Sequence, residues 1–186
     1  MARTVKICLV ACVAVVTVAC STGGGGGGDD AVSDEGKPYA ESLSKNLTKG
    51  GEGEIELSDE QANCIAPKWV NTMKPDRLKK AGIKPADLGS DDNTDMLARL
   101  KLSKDEGVAL VDAFSDCGVN LKESFLAADS DLTDDDRNCL NDAISDDLLK
   151  EVLVIGFTKG PGALSEDSDL AKEYEKAIKK CPGARD

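Results

Sequence analysis

The stretch "LSDEQANC" at 57–64 returns 75 residues later as "LTDDDRNC" at 132–139, with Leu, Asp, Asn and Cys in register. No other feature limits the fold as strongly, because it sets a cysteine near the start of each of two similar units. The match continues as an apolar pattern: Ile65 aligns with Leu140, Trp69 with Ile144, Met73 with Leu148 and Leu78 with Leu153. A second pair of cysteines closes the units, in "DAFSDCG" at 112–118 and "KAIKKCPG" at 176–183. Each unit therefore reads as a helix start with Cys, an intervening segment, and a helix end with Cys.

Ahead of the repeat stands an export leader. "MARTVK" supplies Arg3 and Lys6, and Ile7 to Ala19 then runs apolar, broken only by Thr17. A basic start before an apolar run of this length is a signal-peptide pattern, and it falls short of the roughly 20 apolar residues of a spanning helix. The run closes on Thr17-Val18-Ala19-Cys20. This resembles the lipobox of bacterial lipoproteins, in which a small residue precedes an obligatory Cys that receives a diacylglycerol thioether and becomes the mature N-terminus. Val18, Ala19 and Cys20 match; Thr17 stands where an aliphatic residue is usual. The resemblance implies a lipoprotein signal peptide at 1–19, a lipid anchor on Cys20, and an extracytoplasmic chain held at the cell membrane. Signal cleavage without lipid is the alternative. Each buried methylene contributes about 0.8 kcal/mol, and one acyl chain binds only marginally, so an anchor of two or three chains is what makes attachment lasting. Cys8 and Cys12 lie within the leader and leave with it.

Residues 20–54 are dominated by glycine, serine and charge, with six consecutive glycines from Gly23 to Gly28. Such a run costs the most to order, so 20–54 reads as a flexible tether. The remainder divides into helical unit 1 at 55–130 and helical unit 2 at 131–186, packed as one small domain. Net charge is −12, from 23 basic and 35 acidic residues. That balance argues against nucleic acid as a partner and against the folded part lying on anionic lipid.

After the leader and Cys20, four cysteines remain: Cys64, Cys117, Cys139 and Cys181. An even number in an exported chain reads as disulfides. A widely spaced Cys₄ zinc site is the competitor, with no His and no C-x-x-C pair to support it. Of the three possible pairings, the repeat favours those within units, Cys64–Cys117 and Cys139–Cys181. Loops of this order are worth roughly 3–4.5 kcal/mol each. A chain with 3% aromatic residues needs such staples, because bulky core side chains are scarce.

Helix starts recur with regular chemistry. Ser58 with Gln61 and Ser103 with Glu106 form capping boxes, and Thr133 and Ser165 are further N-caps. Leu57, Leu102, Leu132 and Leu164 each precede a cap. The main helices are thus expected near 59–73, 104–117, 134–155 and 166–181, with shorter ones at 76–81, 93–100 and 120–128. Leu140, Ile144, Leu148, Val152 and Ile155 step by 4, 4, 4 and 3, a helical stripe. Pro67 falls inside the first helix and predicts a kink; Gly82 predicts the end of the helix at 76–81. "GEIEL" at 53–57 is a weak strand candidate. The fold class is all-α.

The combination of lipobox, glycine tether and two Cys-bearing helical units opening "LSDEQ…C" resembles small exported lipoproteins of actinobacteria, in families of unknown function. It implies a disulfide-stapled helical domain outside the cytoplasm and carries over no catalytic residue.

Catalytic patterns are sparse. Without His there is no Ser-His-Asp triad and no Cys-His pair. No phosphate loop, G-x-S-x-G or G-x-G-x-x-G occurs. "SLSK" at 42–45 falls in the expected tether. "DSDLTDDD" at 129–136 opens like a calcium loop, but Asp134 takes the place of the turn Gly and Leu140 that of the bidentate Glu; those acids read as helix-start carboxylates. No catalytic residue, metal site or cofactor is assigned. Trp69 fits the apolar stripe and reads as core. The leading expectation is a non-enzymatic interaction or accessory module with an unknown envelope protein as partner. A small-molecule or lipid carrier with a cavity between the units is the alternative, and a carboxylate-based hydrolase of envelope polymer a more distant one.

Overall fold

In the first unit, α2 (Asp59–Met73) and α5 (Lys104–Asp116) start where the sequence places them. The computed structural model describes residues 31–49, 55–89, 96–160, 163–164, 168–181 and 183. Ser58 and Ser103 accept the N–H of Gln61 and Glu106, and both side chains return to the cap N–H, completing the expected boxes. Leu57 and Leu102 are buried just ahead of the caps, which fixes the angle at which the chain enters each helix. Helix α2 runs through Pro67, which supplies no N–H to the Asn63 carbonyl. Ala62, Ile65, Ala66, Val70 and Met73 bury on its inner face. After it come α3 (Pro75–Lys80), a 3-10 turn at Pro85–Gly89, and α4 (Met96–Leu100). Helix α3 ends at Gly82, where φ is +72° and the Ile83 N–H reaches back to the Leu78 carbonyl, a left-handed closure that glycine permits cheaply.

The tether reading of 20–54 needs correction over part of its length. Residues Lys37–Leu47 form a helix, α1, laid against α2 and the 3-10 turn. Tyr39 is 4% exposed and donates its hydroxyl hydrogen to the Ile83 carbonyl at 2.9 Å. Leu43 is buried, and Ser44 Oγ donates to Asn63 Oδ1 at 2.7 Å. Tyr39, Leu43 and Leu47 repeat every four residues, one narrow stripe in a segment otherwise polar enough to look like linker. The folded part thus begins well before residue 55.

In the second unit, α6 (Leu121–Ala128), α7 (Asp134–Ala143), α8 (Asp146–Lys159) and α9 (Asp169–Ile178) follow. The continuous helix expected at 134–155 is two. Ile144 is extended (φ −98°, ψ 118°), and Ser145 caps α8 by accepting the Leu148 N–H. Lys122, reaching over from α6, donates to the Asn141 and Ile144 carbonyls at the end of α7 and pairs with Asp146 at 2.9 Å. A lysine on the last carbonyls stabilises a helix end. The last helix also starts later than expected, with Ser168 as its cap; Ser165 lies outside the described residues. No strand occurs among the described residues, and 55–58 is irregular.

Both disulfides form within the repeat, Cys64–Cys117 with Cα atoms 5.7 Å apart and Cys139–Cys181 at 5.8 Å. Each ties a helix near its start to the end of a later helix. Two apolar clusters result, one from Tyr39 to Val119 and one from Leu126 to Cys181. Leu126 of α6 belongs to the second, although the sequence reading gave it to the first unit. Helix α8 joins the two. Gly107 of α5 lets it approach closely: a Cβ at that position would stand 2.6 Å from Thr158 Cγ2 and 3.2 Å from Val154 Cγ1. Asp112 of α5 pairs with Lys150 of α8. Phe157 of α8 meets the Trp69 ring edge-on, centroids 5.3 Å apart.

A candidate binding cleft in the second unit

The first core is closed around its single Trp. Trp69 is 8% exposed, its Nε1 donates to the Leu110 carbonyl at 2.8 Å, and Phe114 and Phe157 pack edge-on against it. It is core, as its place on the stripe implied, and not an exposed anchor. In the same unit, Arg77 of α3 makes a forked pair with Glu106 of α5 at 2.6 and 2.9 Å. The Arg77 hydrogen bonds, followed by the Ser103 N–H, hold the Glu106 carboxyl down at about 2. Among the described residues the other displaced carboxyl, Asp34, is also lowered, by its hydrogen bond from Lys37. Both shifts run opposite to what a general acid needs. In the "SLSK" stretch, which lies on α1, the Ser44 hydroxyl is bonded to Asn63.

The second core is left open on one side. Its aromatic residues stand at the edge, with Phe125 on α6 and Tyr174 on α9. Between them lies a cleft of about 440 Å³, floored by Leu126, Leu132, Leu140, Ile144 and Ile178 and edged by Asp129, Ser130 and Asp131. Phe125 is 37% exposed, the one large apolar side chain so exposed among the described residues. Helical geometry explains why: Phe125 and Leu126 are about 100° apart around α6, and Leu126 takes the inward direction. The Tyr174 hydroxyl makes no hydrogen bond among the described residues, and burial pushes its pKa up.

The rim is built by the loop between α6 and α7. Asp129 Oδ1 accepts the Asp131 N–H at 3.0 Å, and Arg137 donates to the Asp129 carbonyl at 3.2 Å. Neither the Asp129 nor the Asp131 carboxylate has an ion-pair partner among the described residues. Further on, Asp134 pairs with Arg137, and Asp136 closes the Thr133 capping box. Among the described residues no group of three or more His, Cys, Asp or Glu is placed to hold a metal ion.

Two further clefts flank the α5–α8 junction, where the sequence reading placed a possible carrier cavity. One, about 600 Å³, is lined by Val108, Val154, Ile155 and Leu170 beneath Lys104, Lys150, Asp147 and Glu151. The other, about 270 Å³, is crossed by the Lys122–Asp146 and Lys150–Asp112 pairs. Charges of both signs edge these two, whereas carboxylates alone edge the cleft at Phe125. Of the residues singled out from sequence, the four paired cysteines are found bonded, and Cys20 lies outside the described residues. No described helix is long and apolar enough to cross a membrane. Comparison of the chain with protein-family models, curated proteins and solved structures finds no match.

Proposed function

We propose that this protein is a non-enzymatic interaction module, tethered by lipid on Cys20 to the outer face of the cell membrane, of the kind its resemblance to small actinobacterial lipoproteins implies. The observation that carries the module reading is the open cleft at Phe125, with an apolar floor and carboxylates on its rim. Two disulfides support an oxidising, extracytoplasmic setting. The packing of α1 shortens the tether to the residues between Cys20 and about 31. A glycine-rich coil of that length reaches about 20 Å, against about 30 Å for the whole of 20–54. The folded units would work close to the membrane, on a membrane protein or the nearest layer of envelope.

Membrane fractionation and in-cell cross-linking test this together. The anchored protein is expected in the membrane fraction with one dominant cross-linked partner, and Cys20→Ala is expected to lose both. Membrane retention of Cys20→Ala would overturn the lipid anchor. Absence of any partner at good cross-linking yield would overturn the module. The mainly apolar cleft of about 600 Å³ beside α8 supports a second reading, carriage of a small amphiphile; native mass spectrometry of the purified chain would then find a co-purifying ligand.

A further inference from the structure

We infer that the cleft between α6 and α9 receives a basic segment of a partner protein, one that seats an apolar side chain between Phe125 and Tyr174 and sets Lys or Arg against Asp129 and Asp131. This deepens the interaction-module reading and rests on it for taking the occupant to be a protein.

The chemistry follows from what the cleft leaves unfinished. Its floor is apolar, down to the buried Ile144, and Phe125 stands 37% exposed above it. Covering these surfaces is favourable for any apolar group of the right size, at about 25 cal/mol per Å². About 440 Å³ is room for a large side chain and part of a second, not for a whole domain. The rim decides the sign of the neighbour. From Asp129 to Asp136 the chain carries five aspartates and no basic residue. Asp134 and Asp136 are engaged locally, with Arg137 and Thr133. The Asp129 and Asp131 carboxylates have no ion-pair partner among the described residues, and their loop is ordered by the Asp131 N–H on Asp129 Oδ1 and by Arg137, which donates to the Asp129 carbonyl. An acidic edge over an apolar floor repels an acidic partner and steers a basic one. The free Tyr174 hydroxyl adds a hydrogen-bonding group at the wall, so a segment crossing the cleft finds all three kinds of contact.

The test uses the mature chain from position 20 with Cys20→Ala, which carries neither lipid nor the apolar leader and needs no detergent, and two synthetic helical peptides, one of Leu and Lys and one of Leu and Glu in the same pattern. Amide chemical shifts are followed during titration. The Leu/Lys peptide is expected to move resonances of 125–132 and 174–178, and the Leu/Glu peptide to leave them unmoved. Asp129→Asn/Asp131→Asn should weaken the Leu/Lys peptide at least tenfold, and Phe125→Ser by a similar factor. Glu41→Gln/Glu60→Gln, which removes equal charge from the first unit, should change it less than twofold. Equal weakening by both charge pairs would mean diffuse attraction to an acidic chain and would overturn the site. So would shifts centred on α5 and α8. Displacement of the peptide by hexylammonium at comparable concentration would assign the cleft to small organic cations and overturn the protein occupant. Failure here with a partner still cross-linked in cells removes the cleft but not the module. Peptide binding here with no cross-linked partner does the reverse.

Discussion

Arg77 and Glu106 show how much one pair of side chains does in this fold. The Glu106 carboxylate closes the capping box at the start of α5 and receives the Arg77 fork from α3, so one group fixes a helix start and a helix–helix contact. Its pKa is lowered to about 2. A group with a depressed native pKa adds stability above its unfolded pKa, near 4.5, and loses it as pH falls toward the native value. Urea midpoints read by Trp69 fluorescence are therefore expected to drop between about pH 4.5 and pH 2, and Glu106→Gln to flatten that part of the profile. An unchanged profile in Glu106→Gln would remove the pair from the acid response. Arg77→Ala should cost about 1 kcal/mol at neutral pH, the upper end of the scale for a solvent-accessible pair. Tyr39→Phe is expected to cost about 1–2 kcal/mol, because it strands the buried Ile83 carbonyl.

Among the elements, what the sequence made legible was local. The starts of α2, α5 and α7 are set by a hydroxyl and the amide three residues on, and Ser58, Ser103 and Thr133 with Gln61, Glu106 and Asp136 announce them. What stayed hidden depends on distant partners. The break after Ala143 needs Lys122 from another helix to take up the freed carbonyls; the apolar stepping through Ile144 gives no sign of it, although Ser145-Asp146-Asp147 is itself a fair helix start. Helix α1 needs Ile83 and Asn63, both far along the chain. The cleft was not legible because "FL" at 125–126 does not say which of its two apolar side chains faces out. Leu43→Ala in α1 should cost about 2–4 kcal/mol; a loss under 0.5 kcal/mol would restore the reading of that segment as linker. At the α5–α8 crossing, Gly107→Ala gains up to about 1 kcal/mol of helix propensity but meets Thr158 Cγ2, an overpacking worth about 1–3 kcal/mol. Net destabilisation is expected. Thr158→Ser removes the offending methyl and should abolish it; an equal cost in both backgrounds would rule out the steric explanation.

Over the whole molecule, a sequence repeat has become two units of unequal completeness. The first has α1, a buried Trp and a closed core; the second has a smaller buried cluster, tied by its disulfide, with Phe125 and Tyr174 at the edge of its cleft. The bridged residues are 53 and 42 positions apart, which corresponds to about 4 kcal/mol of stabilisation each. Cys139→Ser/Cys181→Ser is therefore expected to strip hydrogen-exchange protection from α7 and α9 while α2 and α5 keep theirs. Uniform loss along the chain would show that the units fold as one. The open side of the second unit leaves it a partly apolar surface for the proposed partner. The most direct test of that assignment places a photo-cross-linking phenylalanine analogue at position 125 of the anchored protein in living cells, with the same analogue at position 60 as control. A single partner captured from position 125, absent from position 60 and lost on Cys20→Ala, is the expected result. No adduct from position 125, or the same adducts from both positions, would contradict it.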